Sequence, residues 1–175
     1  MSSKTLRVSL AMLLAIALLL TTMLPIVAMA EKKEYIVKYA YAADINTLNP
    51  FYWITVADLD LLRIIYDTPF RIGPKGDLRP GLVESCEFSE DGLKVTFRLV
   101  KNATWHDGKP VTADDLKFTL EFVRDHKLPY LGSVGEAIKT VKKIDDYTVE
   151  VELKHPFSPL PLIMADILLV VPKHI

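Results

Sequence analysis

Three carboxylate pairs, Glu90-Asp91, Asp114-Asp115 and Asp145-Asp146, are the side chains whose type and spacing could do acid–base work. Each has a structural assignment as well. Asp114-Asp115 follows Thr112 at a helix start, where carboxylates meet free N–H groups and the positive end of the helix dipole. Glu90-Asp91 and Asp145-Asp146 fall in turns, where Asp bonds its local backbone. Capping and turn formation account for all three pairs, and no catalytic residue is assigned. His106, His126, His155 and His174 have no ligand partner at helical i, i+4 spacing and no adjoining cysteine, so neither a metal site nor a cofactor is expected. His106, before Asp107-Gly108, reads as a hairpin residue. A single cysteine, Cys86, excludes an intrachain disulfide and reads as a small buried apolar residue. The sequence has no Gly-x-Ser-x-Gly elbow, phosphate loop or dinucleotide fingerprint. It shows no nucleophile, and a non-enzymatic protein is expected.

Binding is better represented. Asn49-Pro50-Phe51-Tyr52-Trp53 places three rings in a row in a loop. Large rings with polar tips can line a ligand pocket, and loops at strand ends are where ligands sit in open α/β sheets. Phe51 is expected to pack inward, and at least one of the other rings to reach solvent.

The elements that must position these residues follow from periodicity. Tyr35–Tyr41, rich in aromatic and β-branched residues, predicts a first strand. Thr55 with Asp58 three residues on forms a capping-box pattern, and Leu59, Leu62, Ile65 and Tyr66 recur at helical spacing before Pro69. Val95, Phe97 and Leu99 alternate with polar residues, predicting a half-buried strand after the Glu90-Asp91-Gly92 turn. Thr104-Trp105 extends the chain before a turn at Asp107-Gly108. Thr112 and Asp115 cap a second helix, whose stripe of Leu116, Leu120 and Val123 is widened by Phe118 and Phe122. Val141 and Ile144 face Val149, Val151 and Leu153 in a predicted hairpin. Pro156, Pro159 and Pro161 should break regular structure, with a short helix at Leu162–Ala165 and a buried strand at Ile167–Val171. Strands and helices mix without strict alternation, which makes the class α/β, or α+β with a partly antiparallel sheet.

The first thirty residues read differently from the rest. Lys4 and Arg7 flank an apolar run from Val8, and Ala28-Met29-Ala30 after Pro25 is a small-x-small cleavage pattern. That is the layout of a secretory signal peptide, with an uncleaved anchor as the alternative. Without this leader the chain carries 19 basic and 22 acidic residues, a balance that argues against a nucleic-acid partner. Glutamine is missing from the sequence and asparagine occurs only at 46, 49 and 102, a thermophile tendency.

The segment Pro80–Val123 reads PGLVESCEFSEDGLKVTFRLVKNATWHDGKPVTADDLKFTLEFV. Its Glu84-Ser85, Asp91-Gly92, Thr96-Phe97-Arg98-Leu99, Trp105-His106-Asp107-Gly108 and Pro110–Asp115 occur in the order found in the family-5 extracellular solute-binding proteins of ABC transporters. Leu48-Asn49-Pro50 upstream, and Asp145–Val149 and Val171–Ile175 downstream, extend the resemblance over nearly all of Tyr35–Ile175. Cys86 departs from the family's usual Trp. The resemblance implies the N-terminal portion of a two-lobed periplasmic-binding-protein-like fold, type II with an extra small domain. Residues 1–30 would then be the signal peptide, 31–49 the start of lobe I and 50–175 the small domain with its return toward lobe I, the second lobe being absent. It further implies a solute-binding subunit, truncated here, that captures an oligopeptide or oligosaccharide at the periplasmic or extracellular face of the membrane for ABC permease subunits. A membrane-anchored sensor ectodomain and a secreted hydrolase are the alternative readings. Carried over by motif, Trp53 is the closest match to a cleft-lining aromatic, with Tyr52 second, Asn49 as a polar candidate and Tyr130 in the loop after the second helix.

Overall fold

The computed structural model describes Met12, residues 36–41 and residues 43–175. Two units are distinguished, Met1–Ala40 and Tyr41–Ile175. The leader and its cleavage pattern lie outside the described residues apart from Met12, as does Tyr35. Residues 36–41, expected as a strand, lie in neither helix nor strand. Aromatic and β-branched composition favours extended backbone, but a strand also needs a ladder partner, and none of the assigned strands pairs with this segment.

In the second unit, helix α1 spans Val56–Ile65 and starts at the predicted Thr55 cap. Leu59 and Leu62 are buried, whereas Ile65, predicted on the same face, is exposed. A two-stranded ribbon follows, β1 (Phe70–Ile72) against β2 (Leu78–Pro80). The main sheet is built from β3 (Val83–Phe88), β4 (Lys94–Leu99), β5 (Ile138–Asp145) and β6 (Thr148–Leu153) in the order β3-β4-β6-β5. Every pairing is antiparallel, so α+β is the better of the two class descriptions. Register puts Val95 opposite Val151 and Phe97 opposite Val149, all fully buried on one face. The other face carries Thr96 opposite Glu150 and Lys94 opposite Glu152, as the alternation requires.

Helix α2 (Ala113–Asp125) lies against β5 and β6 and buries Leu116, Leu120 and Val123. Burying each such side chain contributes on the order of 2 kcal/mol, so this helix–sheet contact contributes substantially to cohesion. Phe118, expected to widen the stripe inward, stays exposed, while Phe122 is half-buried. The short α3 (Gly132–Ala137) packs on α2. A Cβ at Gly135 would lie 2.4 Å from the Val123 carbonyl oxygen, so this contact requires glycine. Helix α4 spans Leu160–Ile167, wider than predicted, with Pro159 as its cap and Pro161 in its first turn. Proline breaks a helix interior but costs nothing where the N–H has no intrahelical partner.

The segment after α4 is buried, with Leu168 and Leu169 at 0% and 1% exposure, yet it forms no strand. Its backbone is held differently from a ladder. Val170 N donates to Asp67 O at 3.1 Å, Val171 N to Thr119 Oγ1 at 3.1 Å, and Lys173 N to Asp115 Oδ1 at 2.9 Å. The apolar run correctly indicated burial, which periodicity alone does not distinguish from strand pairing. Cys86 is half-buried in β3, and burial, followed by the charge of Glu87, pushes its thiol above the ordinary range.

Candidate functional site

The loop carrying Asn49, Tyr52 and Trp53 is shaped by its own polar groups. Thr47 Oγ1 accepts from Asn49 N at 3.0 Å, and Asn49 Oδ1 accepts from Phe51 N at 3.0 Å. Tyr52 N closes the turn on Asn49 O at 3.2 Å. These are the side-chain turns that Asn and Thr favour. They commit the Asn49 side-chain carbonyl to the loop itself and leave its amide nitrogen as the group able to meet a solute.

The turn sends its three rings in different directions. Phe51 goes inward, stacked on Phe122 of α2 with centroids 4.2 Å apart, and Phe122 is in turn stacked on His126 at 3.9 Å. Tyr52 is exposed. Trp53 is only 8% exposed and belongs to a small cluster with Leu59, Leu62 and Leu169. Tyr130 lies flat on it, with centroids 4.2 Å apart and planes within 10°. The Tyr130 hydroxyl donates to Ile54 O at 3.3 Å, while the residue itself remains 49% exposed. Two of the four site candidates, 77 positions apart in the chain, therefore form one aromatic unit. Asn49 is not part of it. It borders a separate shallow hollow with Phe51, Tyr66 and Phe118.

Asp58 organises the loop from below. It is fully buried, and its Oδ1 accepts from Asn46 N at 2.7 Å while Oδ2 accepts from Ile54 N at 3.2 Å and Thr55 N at 3.0 Å. Burial acts to raise its pKa, but the N–H groups of Asn46, Ile54 and Thr55 together outweigh it and hold the carboxyl well below the usual range. The sequence indicated the capping box but not the bond to Asn46. The available signal was an acidic residue set between apolar Ala57 and Leu59, which requires more than one partner.

The carboxylate pairs hold structure together. Asp115 is buried and accepts from Thr112 N at 2.9 Å, Trp105 Nε1 at 3.3 Å and Lys173 N at 2.9 Å. Asp114 pairs with Lys143 at 2.6 Å and Lys173 at 3.1 Å, which hold its carboxyl low. Asp91 accepts from Ser89 Oγ and Leu93 N in the β3–β4 turn, and Asp145 from Tyr147 N in the β5–β6 turn. His106 sits exposed in the turn beside Gly108. His174 reaches back to Asp107 at 2.8 Å, and Asp107 is lowered to about 2, chiefly by the Lys109 N–H and then by His174. Among the described residues there is no grouping of three His, Cys, Asp or Glu able to hold a metal ion.

The model for bacterial extracellular solute-binding proteins, family 5 Middle, matches residues 77–174. The chain belongs to this family. Its relatives within the family include the periplasmic alpha-galactoside-binding protein of Rhizobium meliloti, 43% identical over 83 residues, which are 45% of this chain and 12% of that protein. The dipeptide-binding protein of Escherichia coli is 36% identical over 108 residues, 51% of this chain and 20% of that protein. The structure of the oligopeptide-binding protein AppA from Bacillus subtilis, in complex with a nonapeptide, superposes with a TM-score of 0.65 and 31% identity, covering 72% of this chain and 25% of that one. The chain thus spans a quarter or less of the length of these relatives, and its mixed helix–sheet architecture is that of part of a periplasmic binding protein.

Proposed function

We propose that this chain is part of the solute-binding subunit of an ABC import system, working at the periplasmic or extracellular face of the membrane. The observation that carries the reading is the Trp53–Tyr130 stack, held in the same unit as the segment matched by the family-5 model. Paired rings with polar tips suit a solute that presents apolar faces and hydrogen-bonding edges together. Oligopeptides and oligosaccharides both have that character. Tyr130 is the accessible ring of the pair and the buried Trp53 backs it, with the exposed Tyr52 next to Trp53 in the loop and the amide nitrogen of Asn49 as a separate polar contact.

The protein captures and hands over its solute and does no chemistry on it. Supporting this, Asp91, Asp114, Asp115, Asp145 and Asp146 are engaged in capping, turns and ion pairs, and the relatives named above are binding proteins. ABC permease subunits are the partners, and the leader at residues 1–30 provides for export. Residues 31–49 begin a first lobe and 50–175 form the small domain with its return toward that lobe.

Calorimetric titration of the chain with dipeptides and with an α-galactoside tests the reading. Saturable heat from one class, lost in Trp53→Ala, is the expected outcome. Full retention in Trp53→Ala counts against the aromatic unit as the binding element, and no heat from either class counts against autonomous binding by these residues alone.

A further inference from the structure

The carboxylate hydrogen bonds of Asp58 go to backbone N–H groups and not to either ring of the aromatic pair, yet both rings depend on segments that it holds. Its carboxylate accepts from the N–H of Asn46 at one end of the loop and from those of Ile54 and Thr55 at the other. Between them lie Asn49, Tyr52 and Trp53. The carbonyl of Ile54, whose N–H Asp58 accepts, receives the Tyr130 hydroxyl at 3.3 Å. A capping box needs only the N-cap N–H, here that of Thr55. The bonds to Asn46 and Ile54 exceed what starting a helix requires, and they fall at the two points that close the loop.

The geometry points to Asp58 as the positioning residue of the aromatic loop, fixing both loop ends so that the buried Trp53 backs Tyr130, the ring left accessible to the solute. The inference rests on the binding reading above. The chemistry of the side chain makes it specific. A carboxylate offers acceptors at both oxygens, whereas an amide at the same place offers one oxygen and turns N–H donors toward N–H donors. Glutamate keeps the capping box, since it is a usual residue at that helical position. Its added methylene, in a site with no exposure, moves the carboxylate away from Asn46 N.

The test uses the chain labelled with 5-fluorotryptophan. Its two tryptophans, Trp53 and Trp105, give one fluorine resonance each, assigned with Trp105→Phe. Asp58→Asn should remove the ring-current displacement of the Trp53 resonance and open it to acrylamide, with Trp105 unmoved. Asp58→Glu should do the same with the helical circular dichroism unchanged, and it decides the matter if the Asn variant does not fold. Asp115→Asn is the reciprocal control and should move Trp105 more than Trp53, whose neighbour Leu169 lies on the segment that Asp115 holds. A Trp53 resonance unmoved by both Asp58 variants overturns the proposal. So does movement of both resonances together, which would make Asp58 a general stability residue. The readout contains no solute, so a chain that binds neither dipeptide nor galactoside counts against autonomous binding while this outcome stands separately.

Discussion

Asp58 and Asp115 occupy the same place in two helices, the third residue after a threonine cap, and both are buried. Their remote partners differ. Asp58 reaches a local one, Asn46, twelve positions away, and closes a loop. Asp115 takes the indole N–H of Trp105 and, from 58 positions away, the backbone N–H of Lys173. The hydroxyl of Thr119, one turn further along α2, donates to Asp115 O and accepts from Val171 N. One aspartate thus shapes a surface loop, while the other, with its helix, straps the final segment to the body. The same local motif serves presentation in one region and cohesion in the other, because the neighbouring chain differs.

This contrast can be broken by experiment. The largest effect should come from Asp115→Ala, which leaves three N–H donors without their acceptor. Loss of buried charged hydrogen bonds of this kind costs about 3 kcal/mol, and the urea midpoint of unfolding, followed by Trp105, should fall accordingly. Asp58→Ala should act locally instead, with Trp53 becoming exposed at denaturant concentrations where the sheet is still intact. Coincident transitions at Trp53 and Trp105 in that variant would erase the distinction between the regions. Thr55→Ala should cost about 1 kcal/mol, the ordinary value of an N-cap, because Thr55 Oγ1 accepts from Asp58 N at 3.2 Å. Thr112→Ala should cost less, since the Thr112 hydroxyl is turned to donate to Asp115 Oδ2 at 3.3 Å.

The smallest effect concerns pH at the strapped end. Asp107 is lowered in the folded chain from 3.8 to about 2, so its contribution is present above the unfolded value and is lost as pH falls through the folded one. The carboxylate's contribution to the stability difference between the unsubstituted chain and Asp107→Asn should therefore be fully present above about pH 5 and be lost progressively as pH falls through about 2 towards about pH 1. Denaturation midpoints across that window check this. A difference that persisted in acid would mean that the Asp107–His174 contact does not depend on the charge of the carboxylate.

Much of the scaffold was legible because it rests on local rules. Both capping boxes, the β4 alternation, the β5–β6 hairpin and the turns at Gly92 and Gly108, with φ of 67° and 85°, follow from short-range backbone chemistry. Segments whose state depends on a distant partner were less legible. Residues 36–41 have strand composition without strand pairing, and Leu168–Val171 has strand burial without a ladder. The candidate site divides in the same way. Its residue types and the inward Phe51 could be read from sequence, but which of the other rings reaches solvent and the pairing of Trp53 with Tyr130 could not.

By itself, then, the sequence determined the helix starts, the alternating strands, the ordered family motifs and the choice of aromatic candidates. All of these depend on residues within a few positions of one another. Only the tertiary structure decided which ring faces solvent, that Asn49 borders a hollow that Trp53 does not line, and what each capping aspartate holds beyond its own helix. Those outcomes turn on donors brought in from elsewhere in the chain. A buried carboxylate must find enough N–H partners to offset its desolvation, and the fold determines which ones come within reach.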